Sequence, residues 1–442
     1  MRKIVISGLV AVAAVLGGVA VPATAMAQQP AGAAARPDSV AALRPGITAR
    51  PTLVTDGVDG APLISCVLAT DCLGVEGSSS ISDGGQSAPT RVARWNGSAW
   101  KGVGVALPKG AKSDDLKAVS CRGAKSCLVV GDYYTSKSED ANAHVLALTY
   151  NGTSLKSTPT VPLPKGTTEA ALSGVSCVTT RYCVALGVAF GDTAAFGEGG
   201  SVTIIETWNG ARWTLHTAAQ SVGATAEVQP TIVSCATTAF CVLAGEATSF
   251  TSTAFSVKLS VASWNGKKLT TMKPATLSSA DEPLPTAVSC ATTSNCAVTG
   301  VDLGDVTSNS PSATGFTEIW NGKTWQLGNV TWPKGDVDSF TMGVSCYAAH
   351  SCEAVGVDGA STADNAPADA FAASFNGTAG SLQSVPAPSK GDSNTFTDVS
   401  CLPWGSCVAI GETGETGKAA TGSLPVMTGV WNGKAWKLDP GF

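Results

Sequence analysis

The chain is short of charge. Only 14% of its 442 residues are Asp, Glu, Lys or Arg, and 28 cations face 33 anions. No basic stripe of the kind a phosphate backbone requires is present, so nucleic acid is excluded as a partner. Histidine is scarce too: His144, His216 and His350 stand far apart and supply little general-base material. C-x-x-C is absent, which argues against a redox motif. Neither an S-x-D-x-G-x-x-W box, nor GDSGG, nor a G-x-S-x-G elbow with a usable triad occurs. The repeat arginines, Arg91, Arg94, Arg122, Arg181 and Arg212, all fall in the first half, unlike a sialidase-type cluster drawn from around a ring. These gaps lead to the expectation that the chain is not an enzyme. No segment carries a helical period. Beyond the first 27 residues no apolar run could span a bilayer, so no membrane insertion is expected.

What is present begins with a processing signal. MRK is a basic n-region, IVISGLVAVAAVLGGVAV an uncharged apolar stretch, and ATAMA offers small residues at −3 and −1. Residues 1–27 therefore read as a signal peptide cleaved after Ala27, and the mature chain as secreted and extracellular. Loss of Arg2 and Lys3 takes the net charge from −5 to −7. Residues 28–50 are rich in Ala, Pro and Gly and read as a flexible linker.

The rest, 51–442, is a repeat. Its fourteen cysteines form seven pairs six residues apart: Cys66/Cys72, Cys121/Cys127, Cys177/Cys183, Cys235/Cys241, Cys290/Cys296, Cys346/Cys352 and Cys401/Cys407. A second marker keeps step with them, from RWNGSAW at 94–100 to VWNGKAW at 430–436. Two markers in phase define units at about 58–112, 113–168, 169–225, 226–281, 282–337, 338–392 and 393–442. In the fifth unit TAVSC (286–290), CAVTG (296–300), FTEIW (316–320) and KTWQL (323–327) read as strands a to d, with Asn321-Gly322 as a two-residue hairpin turn. The expected fold is all-β, a seven-bladed propeller with four antiparallel strands per blade and one a–b disulfide in each. A linear β-solenoid is the alternative. Secretion supplies the oxidising compartment, and each short disulfide loop adds roughly 2 kcal/mol on the chain-entropy model. Zinc on the cysteines is disfavoured, since C-x5-C is not a zinc spacing. The last hairpin completes its own blade, so no strand exchange between the termini is expected, although PTLV (51–54) could add an edge strand.

Strand alternation puts the a–b and c–d turns on one face and the longer b–c and d–a loops on the other. Function is expected on the second face, because loops on a rigid scaffold carry binding residues. An acid follows the strand-b glycine in most units: Glu76, Asp132, Glu246, Asp302, Asp358 and Glu412. The third unit has Asp192 instead, echoed by Asp305 in the fifth. Such acids could bond sugar hydroxyls or hold a hard cation; equally they could cap loops or sit in solvent. No cofactor is implied, and calcium would be allowed by this chemistry without a motif to support it. Tyr133 and Tyr134 beside Asp132 form a fitting glycan platform, and Phe190, Phe196, Phe250, Phe255 and Trp332 belong to the same loops. The candidate ligand residues are Asp132, Tyr133, Tyr134, Asp192, Asp302, Asp305 and Asp358. The recurring Trp95, Trp208, Trp264, Trp320 and Trp431, with Tyr150 and Phe375 in the same place, read as packing anchors rather than sugar contacts. Trp404, on the opposite face, is either a turn filler or an anchor for a protein partner.

The unit VSC-x5-C-x-A-V-G…W-N-G-x-x-W resembles a family of secreted actinobacterial β-propellers, and within it the lectin subunits of umbrella toxin particles. The likeness covers Cys66 to Trp436. It implies a disulfide-stapled lectin, mounted through an adaptor on a larger toxin scaffold and directed at surface glycans of competing bacteria. Some relatives carry a trypsin-like domain that this chain lacks. The family offers no motif that places a binding residue here. A glycan-binding subunit, a protein-interaction scaffold without sugar binding and a polysaccharide-active enzyme are thus the readings to separate.

Overall fold

The computed structural model describes residues 61–77, 90–136, 142–191, 201–217, 226–250, 255–277, 282–303, 313–330, 338–359, 368–387, 392–415 and 425–441. Residues 1–60, where the signal peptide, the linker and the PTLV edge strand are expected, lie outside them. Among the described residues every regular element is a strand, and no helix is long and apolar enough to cross a membrane.

Four strands, hydrogen-bonded in chain order, make the recurring sheet. In the second unit these are a (Ser113–Gly123), b (Ser126–Tyr134), c (His144–Tyr150) and d (Ser154–Ser157). Strand b is nearly continuous in burial because neighbouring sheets cover both its faces. The hydrophobic clusters accordingly lie between sheets. Leu73, Val75 and Val92 pack on Leu116, Val129 and Leu146, and Ile64 and Trp95 pack on Val408 and Ile410 from the far end of the chain.

The a strands, Pro62–Leu68, Ser113–Gly123, Thr167–Thr179, Ala226–Thr237, Glu282–Thr292, Asp338–Ala348 and Asp392–Cys401, pack each on the next, and the last packs on the first. The architecture is therefore a closed β-propeller rather than a linear solenoid. The sheets number six among the described residues, not the seven separate ones that the sequence suggests. One parallel pair, Thr314 with Ser339, fuses two four-stranded runs into an eight-stranded sheet. Gly104–Ala106 adds a fifth strand, parallel to Ser154–Ser157, beside the second unit. Among the described residues the last sheet is built from the C-terminal strands alone, without exchange between termini.

All seven expected disulfides are formed: Cys66–Cys72, Cys121–Cys127, Cys177–Cys183, Cys235–Cys241, Cys290–Cys296, Cys346–Cys352 and Cys401–Cys407. Cys72, Cys241, Cys296, Cys352 and Cys407 are at most 1% exposed, so they are core and out of reach of a ligand. The physical reason is their position on strand b, which neighbouring sheets cover on both sides. Cys72 packs with Val408 and Ile410, Cys296 with Val298 and Trp325, Cys352 with Val344 and Phe371, and Cys407 with Val399 and Trp436.

The serine before each first cysteine has a role the sequence did not disclose. Its hydroxyl accepts the N–H of the first cysteine in the following unit, as in Ser65 to Cys121 (2.9 Å) and Ser176 to Cys235 (2.9 Å). The series runs on through Ser120, Ser234, Ser289 and Ser345, and closes where Cys66 N–H donates to Ser400 (3.0 Å). The strand-b glycine is explained by close approach. A Cβ on Gly131 would lie 1.9 Å from the Asp115 carbonyl oxygen, and one on Gly411 would lie 1.8 Å from that of Thr395. Both sit beside a bulge in strand a.

The Asn-Gly hairpins differ from expectation. Asn321 to Thr324 is a four-residue loop, so strand d starts at Trp325. Trp320 faces Trp325 across the strands, ring centroids 5.6 Å apart, and Tyr150–Leu155 and Trp264–Leu269 frame loops of the same length without a second tryptophan. The asparagine side chain braces the wider loop, Asn321 Oδ1 accepting the N–H groups of Lys323 and Thr324 (both 3.0 Å). In the sixth unit, where Gly380 replaces the second tryptophan, Asn376 pairs directly with Ala379 and the turn tightens to two residues. Of the recurring aromatics, Trp95, Trp208, Trp264, Tyr150 and Phe375 are buried, while Trp320 and Trp431 are half-buried.

Candidate functional site

Strand b of the second unit runs on to Tyr134, so Asp132, Tyr133 and Tyr134 are strand residues rather than loop residues. Successive side chains then point to opposite faces, and the expected platform splits. Asp132 is buried, 1% exposed. Tyr134 stands beside it, its hydroxyl pushed up from the ordinary tyrosine range by burial first and then by Asp132. Lys117 Nζ lies 3.9 Å from Asp132 Oδ1 and 3.2 Å from Asp115 Oδ2. This cluster ties the second sheet together beneath the surface.

Tyr133 faces the other way and lines a cleft of about 440 Å³. Strand pairing sets Tyr133 opposite His144, and their rings lie 5.2 Å apart, inclined by 33°. Leu146 and Val161 form an apolar floor, and Thr160, Thr167 and Thr168 bring hydroxyls. Glu169, from strand a of the third unit, adds a carboxylate that accepts the Ala143 N–H (3.5 Å). Two tilted rings, an acid and several hydroxyls around an apolar floor can stack one face of a small polar ring and bond its edge. His144 and Glu169 were missed from sequence. The signal was available for His144, since it begins strand c where strand b ends at Tyr133–Tyr134.

Of the other expected residues, Asp302 and Asp358 are half-buried near the ends of their b strands, and neither lines this cleft. Phe190 is also half-buried. Asp192, Asp305, Phe196 and Trp332 lie outside the described residues, as do the side chains of Phe250 and Phe255. Trp404 is 64% exposed in its a–b turn. Among the described residues no three His, Cys, Asp or Glu side chains gather as a metal site.

A second group lies where the last unit meets the first. Glu76 binds Arg91 (Oε2 to Nε 2.6 Å, to Nη2 2.5 Å), whose side chain is one-third exposed. Glu412 stands beside them, buried. Burial pushes Glu76 up to about 7 against the opposing effect of Arg91. Burial, then the charge of Glu76, pushes Glu412 up to about 8, again opposed by Arg91. Burial thus holds both carboxyl groups above the ordinary carboxylate range.

No family model matches the chain, and no curated protein does. Solved structures do match in fold. An α-L-arabinanase from Penicillium chrysogenum, complexed with arabinobiose, is 9% identical over 68% of this chain and 88% of its own, with a TM-score of 0.41. The propeller domain of the Trilobed protease from Pyrococcus furiosus is 8% identical over 86% and 96%, with a TM-score of 0.42. A leech intramolecular trans-sialidase is 9% identical over 88% and 68%, with a TM-score of 0.37. These matches correct the expectation that the chain is not an enzyme. An arabinanase and a trans-sialidase, both enzymes, stand among the proteins of similar fold. At this distance the likeness is one of fold, and it transfers neither activity nor residues.

Proposed function

We propose that this protein is a seven-bladed β-propeller that works outside the cell and recognises surface carbohydrate in the cleft beside Tyr133. The observation that carries the reading is the pairing of Tyr133 and His144 over an apolar floor, with Glu169 and threonine hydroxyls at its rim. A sugar presents an apolar face to stack and hydroxyls to bond, and this cleft offers both partners. The closed series of seven serine–cysteine hydrogen bonds supports the blade count. The oxidised cysteines support an extracellular setting. The repeat motif supports kinship with lectin subunits of toxin particles, and with it an adaptor as protein partner.

A second reading, turnover of a polysaccharide, is favoured by Glu76 and Glu412. One of them protonated and the other ionised would supply acid and base, the pair that glycoside cleavage needs.

One experiment tests both: a glycan array with residues 28–442, each hit then incubated and checked for shortened product. Binding lost in Tyr133→Ala and Glu169→Gln, with folding intact, is the expected result for recognition. Product formation abolished by Glu412→Gln, with binding retained, is the result expected for turnover. A blank array from folded protein overturns the carbohydrate reading.

A further inference from the structure

The arginines gathered in the first half of the chain do two different things. Arg91 and Arg94 are paired with carboxylates, Arg94 Nε lying 2.8 Å from Asp71 Oδ1. Arg122, Lys125 and Arg181 have no carboxylate partner among the described residues. They stand at the a–b ends of the second and third units, Arg122 on the end of strand a and Lys125 and Arg181 in the turns, on the face opposite the b–c loops. Arg122 and Lys125 line a pocket of about 380 Å³ whose walls contain no acid among the described residues. Ser126, Thr149, Thr179 and Thr180 add hydroxyls. Arg181 packs under Gly210 at its edge, its Cγ 3.1 Å from where a Cβ on that glycine would sit. Arg122 is held across the joint, Nε donating to the Cys177 carbonyl, which leaves its terminal nitrogens without a partner among the described residues.

In a chain with net charge −5, a pocket that sets Arg122, Lys125 and several hydroxyls beside apolar Leu128, Pro159 and Trp208, with no acid among its described residues, favours an anion. We propose that it binds a tetrahedral oxyanion, a phosphate or sulfate ester carried on an acidic polysaccharide. The planar guanidinium fork takes two oxygens of such a group, and the ammonium and hydroxyls take the others. The pocket is wider than a bare ion needs, which fits an ester on a sugar. The cations are confined to one joint rather than spread along a stripe, which favours a polysaccharide over nucleic acid. The site shares neither Tyr133 nor Glu169 with the carbohydrate cleft, so the two assignments fail separately.

The test is binding of the oxidised protein to four immobilised polymers: poly(glycerol phosphate), a sulfated galactan, uncharged dextran and single-stranded oligothymidylate. At least one ester polymer is expected to bind, the two arms saying whether phosphate or sulfate is preferred. Affinity is expected to fall roughly tenfold between about 50 and about 300 mM salt. Arg122→Gln with Lys125→Gln is expected to weaken binding roughly tenfold or more, with exposed Lys434→Gln as the silent control. Lys125→Gln alone keeps the test if the double variant misfolds, since Lys125 holds no side-chain hydrogen bond among the described residues. Failure of both ester polymers, indifference to these substitutions, or equally tight binding of the oligonucleotide overturns the proposal.

Discussion

The two ends of each sheet follow different rules. At the end carrying the a–b turn, every unit repeats the same device: a disulfide and a serine hydroxyl that receives the next unit's cysteine N–H. At the other end each strand-b acid meets different company. Glu76 has Arg91, Asp132 has Tyr134 and Lys117, and Glu246 lies near another acid, Glu282. One end fixes the ring; the other is free to vary and carries buried charge at a cost. A binding surface can therefore diverge without disturbing closure.

The contrast can be broken most sharply at Glu246. Burial, with a smaller push from Glu282, raises it from its ordinary 4.5 to about 7. A carboxyl raised in the fold binds more protons folded than unfolded, so its contribution is full below pH 4.5 and is lost as pH rises through about 7. Glu246→Gln is expected to stabilise the protein at pH 8 by on the order of 2–3 kcal/mol and to flatten the decline above pH 4.5. Denaturant unfolding at pH 5 and pH 8 measures it; an unchanged slope would show that the variable end carries no such cost. At the repeating end, replacing Cys235 and Cys241 together by Ala is expected to cost about 2 kcal/mol. Ser176→Ala is the mildest, at about 1 kcal/mol. Ser65→Ala and Ser400→Ala should match it in thermal unfolding, and a much larger loss at Ser400 would mark the closing joint as special.

Much of this was legible beforehand because it repeats. Paired cysteines and Asn-Gly markers in phase specify four-stranded units, and the disulfides follow. The serines escaped notice because a serine before a cysteine has no distinctive chemistry until the next unit lies alongside it. The hairpin departs from the two-residue expectation because the asparagine side chain braces a wider loop, Asn321 Oδ1 accepting two backbone N–H groups within it. The site was half legible. Tyr133 was singled out, but joining it with Asp132 assumed a loop where the strand continues, and pleating sends the two side chains to opposite faces. Glu169 could not have been chosen, since it enters from a neighbouring unit. The buried Glu206, pushed up to about 8 by desolvation, has no sequence signal at all.

The hydrogen bond from Cys66 to Ser400 joins residues 334 apart in sequence yet copies bonds between adjacent units. Alongside it Thr397 donates to the Pro62 carbonyl (2.6 Å), just as Thr286 donates to Thr341 (2.8 Å). The closing joint thus reuses the bonds of the other joints and adds one of its own, from the Ile64 N–H to Asp398 (2.9 Å). A gene rotated by one whole repeat would encode the same set of joints, and a lineage could exchange or duplicate single units while each new neighbour found its bonding partner already in place.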